Sequence, residues 1–129
     1  YMNEIYSGEK SATDIKGYFA QVDSTYPEDT YPIQFTSNHD ENSWNGAANE
    51  RLGSAVKTFA ALSFTVPGMP LIYNGQEVGL NKRLEFFEKD KIDWNGDLSI
   101  TELYLKLNSI RADRVETRSA LFYFTINWE

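Results

Sequence analysis

The apolar positions of this chain recur at helical spacing in three stretches. A cap-like pair, Ser11 and Asp14, precedes the first stretch, which predicts a short amphipathic helix. The second stretch, 52–64, predicts a more buried helix, and the third begins at the capping-box pair Ser99 and Glu102. The apolar face of the third helix is expected to comprise Ile100, Leu103, Tyr104, Leu107 and Ile110.

Two short apolar runs, 33–37 and 69–73, have the flanking residues of strands. The pair Pro67-Gly68 is expected to end the helix that separates them. A strand, a helix and a second strand in this order predict a parallel βαβ unit. A complete barrel of eight such units takes about 250 residues, so a chain of 129 residues would supply only part of one.

Composition narrows the classes of function. With 41% hydrophobic and 15% aromatic residues, the chain can bury a core. A net charge of -7 and the lack of a basic cluster argue against nucleic acid or an anionic membrane surface as a partner, and no run reaches the roughly 20 apolar residues that span a bilayer. No cysteine is present to form disulfides or thiolate metal sites.

The candidate chemistry lies in Asn38-His39-Asp40, which follows the first predicted strand and contains the single histidine of the chain. The carboxyl end of a barrel strand is where such folds display functional groups. Taken alone, this tripeptide is more often a turn with satisfied side chains. A metal site at His39 and Asp40 is disfavoured because neighbouring strand residues point to opposite faces and no further His or Cys is available.

Two segments carry a family resemblance. The segment 35–40 resembles the fourth signature region of the α-amylase family of retaining glycoside hydrolases, at the end of the seventh barrel strand. The segment 68–79 resembles the eighth strand of that family and the loop after it, although Asn74 stands where the family more often has a second aromatic residue. Both occur in the order of the family, and the resemblance covers most of residues 11–113.

The resemblance implies an α/β fold, namely a partial TIM (β/α)8 barrel of about the last two βα units, strands 7 and 8 with flanking helices. Residues 1–118 would then be the carboxyl-terminal part of the catalytic domain. A strand-like run over 121–126 suggests that residues 119–129 begin a small C-terminal β domain.

By the same resemblance, Asp40 is the carboxylate that stabilises the distorted sugar in the transition state, and His39 donates a hydrogen bond to a hydroxyl of that sugar. Asn38 belongs to the same substrate-binding group. Trp44 and Tyr73 could offer aromatic faces to sugar rings, although packing at the top of the barrel accounts better for Tyr73. Glu77, in the matching segment, is expected to be structural.

The implied partner is an α-glucan oligosaccharide or polysaccharide, and no cofactor is expected within this segment. The resemblance leaves open whether a longer parent protein binds a structural calcium ion. It also leaves the compartment open, and an extracellular or periplasmic location is compatible with it. Two classes of function remain. One is a glucan-acting hydrolase or transglycosylase, which His39 and Asp40 favour, and the other is a non-catalytic sugar-binding or scaffold relative.

In this family the nucleophilic Asp and the acid/base Glu lie on the fourth and fifth barrel strands, upstream of both matched segments. We therefore predict that the 129-residue polypeptide alone hydrolyses nothing, because one stabilising carboxylate cannot replace the covalent pair. The measurement is release of reducing sugar from starch and maltooligosaccharides by the purified chain. Hydrolysis by this polypeptide would refute the assignment.

Overall fold

The computed structural model describes residues 1–28 and 30–113, which form short helices around two strands. The elements are α1 (Met2–Ser7), α2 (Asp14–Thr25), β1 (Ile33–Gln34), α3 (Ala48–Leu52), α4 (Val56–Thr65), β2 (Met69–Pro70) and α5 (Leu98–Asp113). A π-helical turn spans Glu41–Asn45, and 3-10 turns span Gly53–Ala55 and Gln76–Val78. Helix α1 has no counterpart among the sequence-based predictions.

Strands β1 and β2 pair in parallel, with Ile33 opposite Met69. The backbone N–H of Met69 donates to the Pro32 carbonyl at 2.8 Å. Helices α3 and α4 connect the two strands, so the predicted βαβ unit is confirmed. The pairing is shorter than the predicted runs, because beyond Leu71 the backbone N–H of Tyr73 donates to a side chain instead of to the neighbouring strand.

Gly68 allows the two strands to approach each other. Its φ is +119°, in the region that favours glycine, and a Cβ at this position would lie 2.3 Å from the Pro32 carbonyl oxygen. A side chain here would therefore force β2 away from β1. The predicted end of the preceding helix at Pro67-Gly68 is also confirmed, since α4 ends at Thr65.

The prediction of a single helix over 52–64 is wrong in one respect, because the chain breaks into α3 and α4 at Gly53. This glycine has a φ of +48°, and the hydroxyl of Tyr6 lies 2.0 Å from where its Cβ would be. The break therefore gives α1 a contact surface on the connecting helices. The spacing of apolar residues within 52–64 cannot reveal this contact, because Tyr6 is distant in sequence.

The hydrophobic core lies between α4 and α5. Its buried members are Ala60, Phe64, Ile100, Tyr104 and Leu107. Helix α5 was expected to place Ile110 on its apolar face, but Ile110 is exposed and Arg111 is buried. The Arg111 Nη1 donates to the Phe64 carbonyl at 2.9 Å, which compensates for burial of the guanidinium.

Helices α5 and α2 begin differently from each other. The capping residue of α5 is Asp97, whose carboxylate accepts the backbone N–H of Ser99 at 2.8 Å, so the prediction of Ser99 as the cap is wrong. Hydrogen bonds from Ser99 lower the pKa of Asp97. At α2, the predicted pair does form, since the Ser11 backbone N–H donates to the Asp14 carboxylate at 2.7 Å.

Helix α2 packs less closely than α4 and α5 do, and none of its residues is fully buried. A cavity of about 250 Å³ opens beside β1 and is lined in part by residues of α1, α2 and β1. Within residues 1–28 and 30–113, no helix is long and apolar enough to cross a bilayer. The predicted β domain over 119–129, its run 121–126 and the end of the predicted 1–118 domain lie outside the described residues.

We predict that the 129-residue chain self-associates through its strand edges. In the part of the chain that the structure describes, β1 pairs with β2 alone, and Ile33 on β1 is about half exposed. Unpaired strand edges recruit other chains, and a lysine on an edge opposes such pairing. Ile33→Lys should therefore shift the sedimentation profile toward the monomer, whereas Leu105→Lys on the exposed face of α5 should not. A monomeric parent chain would contradict the prediction.

Candidate functional site

Asn38 starts a helical turn a few residues after β1. Its Oδ1 accepts the backbone N–H of Glu41 at 2.7 Å, and its carbonyl accepts the backbone N–H of Asn42 at 2.9 Å. Asparagine suits this capping role because its short amide side chain reaches the free N–H groups of a first turn. Asn38 therefore orients the turn that displays the next two side chains.

His39 and Asp40 lie side by side on this turn. Their side chains are 63% and 61% exposed, and the His39 Nε2 lies 3.5 Å from the Asp40 Oδ2. The argument that neighbouring strand residues point to opposite faces does not apply here, because both residues have left the strand and are helical. The turn therefore places an imidazole nitrogen and a carboxylate side by side on the exposed surface.

Hydrogen bonds join the π-helical turn to the long loop after β2. The buried Asn42 donates from Nδ2 to the Lys82 carbonyl at 2.9 Å and accepts the Leu84 backbone N–H at 2.7 Å. Ser43 Oγ donates to the Leu84 carbonyl at 2.7 Å. The loop is thereby fixed beside the turn that carries His39 and Asp40. The sequence reasoning missed Asn42, whose partners lie some forty residues away.

Arg51, on α3, holds both ends of the segment that carries the candidate site. Its Nη2 donates to the Thr36 carbonyl at 2.6 Å, and its Nε donates to the Gly46 carbonyl at 2.9 Å. The side chain is 9% exposed, and its Nη1 lies 3.3 Å from the Glu41 carboxylate. Burial lowers the pKa of Arg51, and the charge of Glu41 opposes that shift. One guanidinium therefore binds both ends of the segment 36–46, which contains Asn38, His39 and Asp40.

The buried Gln76 connects the carboxyl ends of both strands to α5. Its Nε2 donates to Thr36 Oγ1 at 2.6 Å and also to the Tyr104 hydroxyl. Its Oε1 accepts the backbone N–H of Tyr73 at 3.2 Å. Its neighbour Glu77 accepts a hydrogen bond from Thr101 through its backbone carbonyl. These contacts couple the two loops that flank the candidate site.

Trp44 and Tyr73, the two aromatic candidates, occupy different surroundings. Trp44 is 59% exposed, and its ring centroid lies 5.3 Å from that of Phe86, which in turn lies 5.5 Å from the ring of His39. Tyr73 lines a cavity of about 260 Å³, and burial raises its pKa. None of Asn38, His39, Asp40 and Trp44 lines that cavity. These four residues therefore lie outside the cavity that Tyr73 lines.

Within residues 1–28 and 30–113, no three His, Cys, Asp or Glu side chains converge as a metal site would require. A structural calcium ion in a longer parent protein stays open. His39 and Asp40 alone are two ligands, fewer than calcium or zinc takes from a protein.

Comparison with known proteins identifies the family of this chain. The model of the alpha-amylase catalytic domain matches residues 4–121. A 4-alpha-glucanotransferase of Thermotoga neapolitana is 41% identical over 56 residues, a match that covers 41% of this chain and 12% of the relative. No solved structure matches the chain. The family match includes both strands and the His39–Asp40 turn.

We predict that Arg51→Lys lowers the free energy of unfolding by about 1–3 kcal/mol, because a lysine keeps the charge but loses the planar fork that reaches two carbonyls. Urea unfolding followed by circular dichroism measures the change. The matched control is Arg83→Lys, since Arg83 pairs with Glu50 on the exposed surface at 2.9 Å. Equal effects of the two substitutions would show that Arg51 does not hold the segment together.

Proposed function

This chain belongs to the α-amylase family, and on that premise we propose that it forms the carboxyl-terminal part of a (β/α)8 catalytic domain that acts on α-glucans. In this proposal β1 and β2 are the seventh and eighth barrel strands. Their parallel pairing and the intervening helices support the assignment. The nucleophile and the acid/base would come from strands that precede this segment in a longer protein.

Asp40 is proposed as the third carboxylate of a retaining mechanism. In the transition state the glycosidic bond is largely broken and positive charge develops on the sugar ring. A carboxylate that holds the sugar hydroxyls stabilises that ring, since hydrogen bonds to a charged acceptor are stronger than neutral ones. His39 would bind a hydroxyl of the same sugar. The observation that carries this proposal is the 3.5 Å approach of two exposed side chains at the carboxyl end of β1.

The remaining site residues have supporting parts in the proposal. Asn38 would act mainly through the turn it caps, which fixes the directions of His39 and Asp40. Trp44 would offer an exposed aromatic face to a sugar ring, which is apolar on its faces and hydroxylated at its edges. Tyr73 would support the barrel rim through packing, because it lines a separate cavity.

Hydrolysis and glucan transfer differ in the final acceptor. A covalent glycosyl intermediate is released by water in a hydrolase, and a hydroxyl of a second sugar would take that place in a transferase. The Thermotoga relative is a 4-alpha-glucanotransferase, which makes transfer the second candidate function here. A non-catalytic sugar-binding or scaffold protein is the third. The adjacent His39 and Asp40 count against the scaffold, because a scaffold needs no such pair.

We predict that Asp40→Asn in the complete protein lowers turnover of maltooligosaccharides by about 100-fold or more, because the amide loses the charge that stabilises the transition state. Steady-state kinetics with product analysis measures the effect and separates hydrolysis from transfer.

The matched control for this substitution is Glu102→Gln, the same change of carboxylate to amide on the exposed face of α5. Its turnover should equal that of the parent protein, and both variants should unfold cooperatively. Unchanged turnover in Asp40→Asn would remove Asp40 from the mechanism. A complete protein without any turnover would favour the sugar-binding or scaffold alternative.

A further inference from the structure

Phe86, in the loop after β2, packs against the imidazole of His39. The two ring centroids lie 5.5 Å apart, and their planes are inclined by 40°. Phe86 also lies 5.3 Å from the ring centroid of Trp44, and it is partly buried, whereas its neighbour Phe87 is 82% exposed. The exposed imidazole of His39 therefore has an aromatic neighbour from a segment remote in sequence.

This contact restricts the orientation of the His39 ring. The torsion that joins an imidazole to its Cβ has broad preferences and no sharp rotamer, so a ring on an exposed turn can point in several directions. A second ring in contact excludes the orientations that would overlap it, and aromatic pairs favour particular tilts. The direction of the His39 Nε2, which lies 3.5 Å from the Asp40 carboxylate, therefore depends on where Phe86 lies.

The side chain of Asn42 fixes the loop just before Phe86. Its Nδ2 donates to the Lys82 carbonyl at 2.9 Å, and its Oδ1 accepts the Leu84 backbone N–H at 2.7 Å. Asn42 is 5% exposed, so its amide is buried with both of its functions bound to the loop backbone. An apolar side chain at this position would release the loop two residues before the ring of Phe86.

The backbone of Asn42 closes the turn that carries His39. Its N–H donates to the Asn38 carbonyl at 2.9 Å, and His39 and Asp40 lie between these two residues. The same residue therefore bonds the turn through its backbone and the loop through its side chain. The distance between His39 and Phe86 is in this way set at Asn42.

Two further contacts join the loop to the segment 43–50. Arg83 pairs with Glu50 at 2.9 Å on the exposed surface, where ion pairs contribute little. Ser43 Oγ donates one hydrogen bond to the Leu84 carbonyl at 2.7 Å. The buried amide of Asn42 makes two hydrogen bonds, and loss of a buried partner costs more than loss of an exposed one. Asn42 is therefore the main connection between the turn and the loop.

We propose that Asn42 is a positioning residue, which holds Phe86 against His39 and thereby fixes the direction of the imidazole beside Asp40. The effect on the imidazole is argued from these contacts, and its consequence for turnover rests on the proposed function. In that function His39 binds a hydroxyl of the sugar, and a hydrogen bond weakens steeply away from its preferred angle. A displacement of about 1 Å by a remote substitution can cost about 100-fold in rate.

The single histidine of the chain makes its orientation measurable. In nuclear magnetic resonance spectra of the 129-residue chain, the carbon-bound imidazole protons belong to His39 alone, and the magnetic field of the adjacent Phe86 ring shifts their signals. Phe86→Leu should remove that shift. Asn42→Ala should move the signals in the same direction, although residue 42 carries no ring.

The double variant separates positioning from a general loss of structure. Once Phe86→Leu is in place, Asn42→Ala should produce no further shift of the His39 signals, because both substitutions act through the same ring contact. A structural role alone would lower the free energy of unfolding and leave the signals of the folded chain in place. Asn49→Ala, at an exposed amide on α3, is the matched control and should leave the His39 signals unchanged.

Asn42→Asp is the second variant, for the case that Asn42→Ala does not fold. The carboxylate keeps the acceptor for the Leu84 N–H and loses the donor to the Lys82 carbonyl, so the His39 signals should again move toward those of Phe86→Leu. If both variants fold with the signals of the parent chain, or if both unfold the chain, the proposal is overturned. Equal shifts from Asn42→Ala with and without the Phe86 ring would overturn it as well.

In the complete protein, Asn42→Ala should lower kcat for maltooligosaccharides about tenfold and change KM less, because a displaced group loses more in the transition state than in the bound substrate. Asn49→Ala should keep the parent kcat. An unchanged kcat in Asn42→Ala, beside a reduced kcat in Asp40→Asn, would overturn the positioning role and leave the proposed function in place. An unchanged kcat in Asp40→Asn would instead remove the proposed function, and the result on the His39 signals would stand.

Discussion

The hydrogen bonds of Arg51 are the constraint on which the candidate site depends. The carbonyl of Thr36 precedes the His39–Asp40 turn and the carbonyl of Gly46 follows it, and the same guanidinium binds both. A free loop of this length would sample many conformations, and each fixed residue costs about 1–2 kcal/mol of backbone entropy. A planar group with several donors can hold two distant carbonyls at once, which a point charge cannot. The turn is therefore positioned from an adjacent helix as well as by its own capping residue, Asn38.

Gln76 extends this constraint to the second strand. Its amide bonds Thr36, Tyr104 and the backbone of Tyr73, so the end of β1, the core helix α5 and the turn after β2 share one buried group. Buried amides are costly unless their donors and acceptors are satisfied, and here both functions have partners. A shift of α5 against the sheet would break these bonds. The packing between α4 and α5 is in this way linked to the positions of the carboxyl ends of β1 and β2.

The sequence predicted those features that depend on local pattern. Helices α2 and α5, the parallel βαβ unit and the helix end before Pro67 follow from periodicity and from proline. It did not predict the break at Gly53, which depends on Tyr6, or the burial of Arg111 in place of Ile110, which depends on carbonyls of other elements. Likewise Asn42, Arg51, Gln76 and Phe86 act through residues remote in sequence, and no local period reports such contacts.

Exposure of His39 and Asp40 has a consequence for where the chemistry of this family would arise. A carboxylate in contact with water is screened, and the same charge acts far more strongly where water is excluded. Both side chains are more than half exposed in the described residues, so water is not excluded from them in this segment. In the proposed function, the loops of a complete barrel would enclose the pair and bring the covalent carboxylates to it. In that proposal the segment would orient the two side chains, and their electrostatic effect on a sugar would require the rest of the barrel.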